Sequence, residues 1–273
     1  MKRKKIFISL GIIALVVVAC ATNPFTGKKT MAFVSNDQLF PTSFAQYNQF
    51  LSENKVVTGT TDAAMVNRVG QKIAVAAERW LNALGKQGYL NDYKWEYKLV
   101  DDETANAWCM PGGKIVVYTG ILPITKNEAG LAAVMGHEVA HALANHGQQR
   151  MSAAYIQQGL AVAGNVALAN DEQALNIFNQ SYGTVSNVAG MLPFSRSHET
   201  EADKIGLYLM AVAGYNPAEA AELWKRMSAA SSGQAPPEML STHPSNESRI
   251  ANLTALAPKA KEEAAKFGVT SFK

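Results

Sequence analysis

The chain has little cysteine, little net charge and no internal repeat. Its two cysteines, Cys20 and Cys109, stand far apart among 273 residues, which excludes a CxxC redox motif. No long apolar run follows the one near the N-terminus, so a protein with several membrane spans is excluded as well. The absence of repeats argues against a solenoid or a helical-repeat domain.

Basic and acidic residues nearly balance, with 25 Lys and Arg against 22 Asp and Glu. Four of the basic residues lie at positions 2–5. If residues 1–19 are removed, 21 basic residues remain against 22 acidic ones, and the small positive net charge disappears. Since no nucleic-acid-binding motif is present either, the sequence predicts no nucleic-acid partner.

The N-terminus has the pattern of a processed lipoprotein. The basic residues precede an apolar stretch, Ile6 to Val18, which is shorter than the roughly 20 residues that span a bilayer. Val17-Val18-Ala19-Cys20 resembles a bacterial lipobox. We therefore predict a signal peptide over 1–19, a lipid on Cys20, and a tether over 20–34. An ordinary signal peptide and a plain membrane anchor are the alternatives.

His137-Glu138-Val139-Ala140-His141 has the HExxH pattern. On a helix the two histidines share one face and can bind one metal ion, with Glu138 beside it. Zn²⁺ suits two neutral imidazoles and a carboxylate. A surface helix with two histidines is the alternative, but the surrounding apolar residues favour a buried helix. We expect Thr125 to Glu128 to form its capping box and Gly147 to end it.

A third ligand is expected on a later helix. His146 stands one residue short of the position that the longer HExxHxxGxxH pattern requires, which favours a structural role. Glu199 and Asp203 are spaced i, i+4, so Glu199 can ligate the metal while Asp203 accepts a hydrogen bond from a ligand histidine. Glu201 and His198 are weaker candidates for the ligand.

Four segments together resemble the gluzincin metallopeptidases related to the CAAX prenyl protease, HtpX, Oma, BepA and LoiP, and are most similar to the periplasmic LoiP-like lipoproteins. The segments are the residues around 106–120, the HExxH helix, the helix of Glu199 and Asp203, and Thr242 to Ser245 with Arg249 and Ile250. In order and spacing they cover about residues 60–255.

The resemblance implies roles for individual residues. One zinc ion per chain would be held by His137, His141 and Glu199, Glu138 would be the general base, and Asp203 would orient a ligand, His137 in the first place. His243 would stabilise the oxyanion or occupy the fourth zinc position in a resting state. The segment of Asn106, Gly113, Val116 and Val117 would be the substrate-edge hairpin.

The sequence predicts one metallopeptidase domain over 35–273. We expect it to be mainly helical and of the α+β class, with a small antiparallel sheet beside the HExxH helix. Val66, Val69, Ile73, Ala77, Trp80 and Leu84 repeat at helical spacing, and Trp95, Tyr97 and Leu99 alternate as in a strand. We expect the strand beginning at Val116 to offer a free edge to a peptide. The apolar, small residues of 151–192 predict helices that are either core or a surface for membrane or unfolded protein.

These features predict a zinc-dependent metalloendopeptidase of the bacterial envelope that acts on misfolded or misassembled envelope proteins. It would be held on the periplasmic side of the outer membrane by the lipid on Cys20. The alternative is a latent protease that works mainly as a chaperone or assembly factor, in contact with the outer-membrane assembly machinery. A purely structural metal is a third reading, against which the intact Glu138 argues.

Overall fold

The computed structural model describes residues 20–186, 191–230, 238–243 and 247–273. The chain divides into two compact units. The larger comprises residues 36–144 and the described part of 198–273, and the smaller comprises residues 20–35 and the described part of 145–197. The mainly helical α+β class is confirmed. Among the described helices, none combines the length and the apolar character needed to cross a bilayer.

The smaller unit contains a hairpin and two long helices. Strands β1 (Cys20–Thr22) and β2 (Lys29–Met31) pair antiparallel within the segment predicted to be a tether. Helices α5 (His146–Ala167) and α6 (Glu172–Ser186) follow later in the chain, as the sequence predicted for this region. The hairpin is joined to α5, because the amide of Phe33 donates to Ser152 Oγ over 3.1 Å.

The larger unit is built on a four-stranded mixed sheet in the order β3-β4-β6-β5. The strands are β3 (Val56–Val57), β4 (Glu96–Val100), β5 (Ala107–Met110) and β6 (Lys114–Tyr118). Strands β4 and β6 run parallel, while the other pairs are antiparallel. The two strands predicted from the sequence, around Trp95–Leu99 and from Val116, are present as β4 and β6, although the sheet is mixed where an antiparallel one was expected.

The free edge predicted for the strand of Val116 and Val117 is wrong. Both residues lie on β6, which is hydrogen-bonded to β4 on one side and β5 on the other, and both are fully buried. The turn at Gly112 and Gly113, both with left-handed φ, folds β6 back onto β5 and leaves β5 as the edge strand. Asn106 immediately precedes that strand and accepts a hydrogen bond from the Tyr118 amide.

Helices surround this sheet. In chain order they are α1 (Asn36–Glu53), α2 (Thr61–Ala83), α3 (Leu122–Thr125), α4 (Glu128–Leu143), α7 (Leu192–Val212, which begins in the smaller unit), α8 (Ala218–Ala230), α9 (Glu238–Thr242) and α10 (Glu247–Ala265). Helix α2 buries the predicted apolar residues except Leu84, which is exposed after the helix end. It packs closely on β4, since Gly70 leaves room for the ring of Tyr97.

Helix α4 is the core of the larger unit, because every residue from 129 to 143 is buried. Its boundaries differ from the prediction. Asn127, rather than Thr125, caps the helix by accepting a hydrogen bond from the Gly130 amide. The helix ends at Leu143, and Asn145 follows with a left-handed φ of 56°, so Gly147 lies in the next helix. A left-handed asparagine can end a helix as glycine does.

Candidate metal centre

Four side chains from the predicted segments meet in the larger unit. His137, His141, Glu199 and His243 offer one ligand atom each, and these atoms all lie within 4.8 Å of one another. His137 and His141 come from one face of α4, Glu199 from α7, and His243 follows α9. The sequence spacing thus placed three of these residues, and the resemblance supplied His243.

The separations between the donor residues are close to those of a tetrahedral zinc site, with Glu199 contributing both of its carboxylate oxygens. His137 Nε2 lies 3.1 Å from His141 Nε2, 3.2 Å from His243 Nδ1 and 3.3 Å from Glu199 Oε2. Glu199 also approaches His141 Nε2 at 3.3 Å and His243 Nδ1 at 2.9 Å. Zinc–nitrogen bonds of about 2.0–2.1 Å place tetrahedral ligands about 3.3–3.4 Å apart. Three imidazoles and a carboxylate therefore fit Zn²⁺ in chemistry and in spacing.

The approach of α4 and α7 depends on two glycines. A Cβ on Gly206 would lie 2.8 Å from backbone atoms of Gly136 and His137, and a Cβ on Gly136 would lie 2.8 Å from the Gly206 carbonyl oxygen. The helices therefore cross with their backbones in contact. Gly136 directly precedes His137, and Gly206 lies one turn beyond Asp203, so this contact brings the carboxylates to the histidine.

Asp203 lies against His137 as predicted. Its Oδ1 is 3.0 Å from His137 Nδ1, which leaves Nε2 to face the other donors. In the metal-free protein, burial lowers the pKa of His137, but hydrogen bonds with Asp203 and Glu199 outweigh this effect and raise it to about 9. Burial lowers the pKa of His141 well below its usual value, so that imidazole is neutral and ready to bind a metal.

The carboxylates of the site stay ionised despite their burial. Burial raises the pKa of Glu199, but hydrogen bonds from His137, His141 and His243 hold it well below its usual value. Burial likewise raises the pKa of Asp203, and the neighbouring His137 and Arg249 bring it below the ordinary range. Glu201 is absent from the cluster formed by the described residues, which favours Glu199 as the ligand.

Glu138 is buried beside the cluster. Its Oε1 lies 3.5 Å from His243 Nε2 and makes no hydrogen bond to the described residues. Burial of a carboxylate oxygen without such a bond lowers the stability of the fold, and a catalytic role is one explanation for its presence. The position suits a group that accepts a proton from water at the metal.

Arg249 is the site residue that the spacing argument missed. It is buried, and its Nη2 donates to Asp203 over 2.6 Å while Nη1 lies 3.4 Å from Glu199. Nη1 also donates to the His243 carbonyl over 3.3 Å, and the guanidinium stacks 3.6 Å from the Trp224 ring centre. This arginine offsets the charge of the buried Asp203 and the partly buried Glu199, and its hydrogen bond to the carbonyl holds His243. The signal available was its place in the last matching segment of the resemblance.

A model of Peptidase family M48 matches residues 61–257, which is more than half of the chain. The chain belongs to peptidase family M48. The HExxH helix, the Glu199 helix and the His243 segment all lie within the matched region. The matched residues, which belong to both units, thus form a zincin-type metallopeptidase domain of this family, and the donor set described above is its candidate zinc site.

Several curated proteins resemble this M48 chain. The mitochondrial metalloendopeptidase OMA1 of Schizosaccharomyces pombe is 44% identical over 173 residues, which cover 63% of this chain and 49% of that protein. The human mitochondrial metalloendopeptidase OMA1 is 27% identical over 268 residues, 94% of this chain and 50% of that protein. The beta-barrel assembly-enhancing protease of Escherichia coli K12 is 30% identical over 185 residues, 64% of this chain and 37% of that protein. The aligned part of the chain covers about half of the length of these two OMA1 proteins and 37% of the length of the Escherichia coli protein.

Proposed function

We propose that the protein is a zinc-dependent metalloendopeptidase. The observation that carries the proposal is the group of three imidazoles and a carboxylate, whose ligand atoms lie within 4.8 Å of one another, next to the buried Glu138. Membership of family M48 supports it. When bound, zinc supplies Lewis-acid chemistry that polarises a peptide carbonyl and makes water acidic.

In this proposal His137, His141 and Glu199 hold one zinc ion per chain. Glu138 accepts a proton from the attacking water and donates it to the amine that leaves. Asp203 fixes the orientation of the His137 ring through its Nδ1. An extended peptide pairs with the outer edge of β5, next to Asn106, since β5 is an edge strand of the sheet and packs against α4.

His243 supports a second proposal, that the resting protein is largely latent and cleaves only in the minority of molecules in which His243 has withdrawn. Its Nδ1 lies 3.2 Å from His137 Nε2 and 2.9 Å from Glu199 Oε2, within the distances expected for a fourth ligand. A catalytic zinc keeps that position open for water or substrate. Activation would then require His243 to withdraw, and a chaperone or assembly role would need no withdrawal.

We place the protein in the bacterial envelope, lipid-anchored through Cys20 on the periplasmic side of the outer membrane. The N-terminal basic and apolar segment and the lipobox-like Val17 to Cys20 support this location. The similarity to the beta-barrel assembly-enhancing protease supports misfolded or misassembled envelope proteins as substrates and contact with an assembly machinery. The OMA1 relatives are mitochondrial by name, so their similarity supports the chemistry more than the location.

Cleavage of an unfolded protein tests the enzymatic proposal. Wild type and Glu138→Gln are incubated with unfolded casein, and the zinc content of both is measured. We expect zinc in both and cleavage by the wild type alone, because the amide cannot accept the proton. The control Glu201→Gln on α7 should cleave like the wild type. Cleavage by Glu138→Gln would remove Glu138 from its role, while zinc without cleavage in either would favour the latent form.

A further inference from the structure

Helix α5 of the smaller unit exposes a wide apolar surface. Met151, Tyr155, Val162 and Val166 are 36%, 53%, 59% and 72% exposed. At 100° per residue these four side chains lie within a sector of about 60°. Ile156 and Leu160, 37% and 57% exposed, lie further around the helix, toward the side of Gly164. We call the first four residues the α5 apolar face.

The helix hairpin of the smaller unit does not cover this face. Helix α6 packs against the other side of α5, where the Phe178 ring lies against Gly164 and the Tyr182 hydroxyl donates to the Gln157 carbonyl over 2.8 Å. Gln157 lies on that side as well, whereas Gln158 and Asn165 border the α5 apolar face next to Met151. The α5 apolar face is thus directed away from the partner helix.

The segment also lacks the charges that keep most exposed helices in water. Between Arg150 and Arg196 the sequence contains two charged residues, Asp171 and Glu172, and both lie near the turn between α5 and α6. Exposed helices ordinarily carry charged residues on the side away from the core. A contiguous apolar surface without them marks a site of interaction with a protein or a membrane.

The N-terminal hairpin favours a membrane, rather than a protein, as the partner of this surface. In its register Cys20 is opposite Met31, and the hydrogen bond from Phe33 to Ser152 joins the end of this hairpin to α5. Met31 and Phe33 are themselves 36% and 43% exposed, and the hydrogen bond to Ser152 brings Phe33 to the turn of α5 that also carries Met151. A lipid on Cys20 would therefore begin beside this surface.

We propose that the α5 apolar face docks on a lipid bilayer, with the helix lying in the plane of the interface. Such helices bury one broad apolar face at the boundary of headgroups and acyl chains. Tyr155 has the aromatic body and polar tip that suit this depth. Lys28, in the loop of the hairpin, and Lys29, the first residue of β2, are exposed and complement anionic headgroups. The proposal shares only the anchor at Cys20 with the proposed function and requires no peptidase activity.

The test uses the full lipidated protein in vesicles of phosphatidylethanolamine and phosphatidylglycerol, in a Cys109→Ser background. A nitroxide is attached at Val162→Cys or, as the control, at Gln180→Cys on the exposed side of α6. Collision with oxygen, which concentrates in acyl chains, is compared with collision with a water-soluble nickel complex. We expect oxygen to dominate at position 162 and nickel at position 180. Nickel dominance at both positions would overturn the proposal.

A second set of variants separates the bilayer from other occupants. With the nitroxide at Tyr155→Cys, the substitutions Val162→Glu and Val166→Glu should shift the label toward the nickel complex, while Gln180→Glu on α6 should not. Spin–spin broadening between labels would instead identify a second copy as the partner, and a shift that depends on added unfolded casein would identify a polypeptide. Either result would overturn bilayer docking. Protein that fails to float with vesicles would contradict the anchor, whatever its peptidase activity.

Discussion

His137 is the residue on which most of the site's electrostatics converge. One ring nitrogen faces Asp203 at 3.0 Å and the other faces three metal-ligand candidates. Its raised pKa of about 9 in the metal-free protein means that the ring is protonated at pH 7. A metal binds only the neutral ring, so zinc and a proton compete for this residue.

Zinc binding at pH 7 should therefore release about one proton, because His141 is already neutral and contributes none. The His137 pKa is raised, so zinc affinity should rise about tenfold per pH unit toward pH 9 and fall as pH is lowered. Isothermal titration calorimetry in buffers of different ionisation enthalpy measures the released protons.

Asp203→Asn is the informative variant in that titration. It removes a charge that raises the His137 pKa, so it should release fewer protons at pH 7 and bind zinc about 10–100-fold more weakly. Glu201→Gln, on the same helix but outside the cluster, should behave like the wild type. Unchanged proton release in Asp203→Asn would contradict the assigned hydrogen bond.

Among individual residues, the sequence predicted those that helical spacing places on one face of a helix. The i, i+4 pairs His137 with His141 and Glu199 with Asp203 followed from helix geometry alone. Arg249 could not be found in this way, because its partners Asp203 and Trp224 are distant in sequence and only the packing of α8 and α10 brings them together.

At the scale of elements, the crossing of α4 and α7 determines whether the ligands meet. Because the backbones touch at Gly136 and Gly206, an added methyl group must move one helix. Gly206→Ala should lower the free energy of unfolding by about 1–3 kcal/mol and weaken zinc binding, since Glu199 and Asp203 move with their helix. Chemical denaturation and competition with a chelator measure the two effects.

Gly159→Ala on α5 is the matched control. Its Cβ would meet no atom within 4 Å, so the substitution should raise stability by up to about 1 kcal/mol through helix propensity and leave zinc binding unchanged. If Gly206→Ala is as harmless as this control, the close crossing does not position the ligands.

The sequence predicted the type of each element better than its limits or its neighbours. Thr125 and Asn127 both precede α4, and only the packing of α3 shows that Thr125 belongs to the previous helix. The alternation in β4 and β6 identified strands, but strand order is a long-range property. The alternation therefore cannot show that β5, and not β6, has the free edge.

At the scale of the whole molecule, the candidate zinc site joins helices from distant parts of the chain. Its donors come from α4, from α7 and from the residue after α9, with Arg249 of α10 behind them. Zinc binds the folded arrangement and stabilises it by mass action. Without zinc, several charged or polar groups remain buried close together.

At a zinc concentration one hundred times the Kd, binding stabilises the folded protein by about 2.7 kcal/mol. Removal of zinc with a chelator should therefore lower the Tm by roughly 5–10 °C. Differential scanning calorimetry with and without chelator measures this. Glu199→Ala should show the lower Tm with or without zinc. A wild-type Tm that does not respond to the chelator would mean that the site binds no zinc.

The division into two units was not apparent from the sequence, which predicted one domain over 35–273. Residues 20–35 and the described part of 145–197 form one unit, and the contact between the β1–β2 hairpin and α5 joins them. That contact joins residues more than a hundred positions apart, and hydrophobic periodicity carries no information about it. The exact domain boundaries and the signal peptide over 1–19 remain predictions.

X-ray absorption at the zinc edge tests the central claim most directly, because it counts the imidazoles bound to the metal. The wild type should show three imidazoles and one carboxylate, supplied by His137, His141, His243 and Glu199. His243→Ala should show two imidazoles with an oxygen in the vacated position, and its cleavage of casein should increase. Two imidazoles in the wild type, unchanged in His243→Ala, would contradict a fourth position filled by His243.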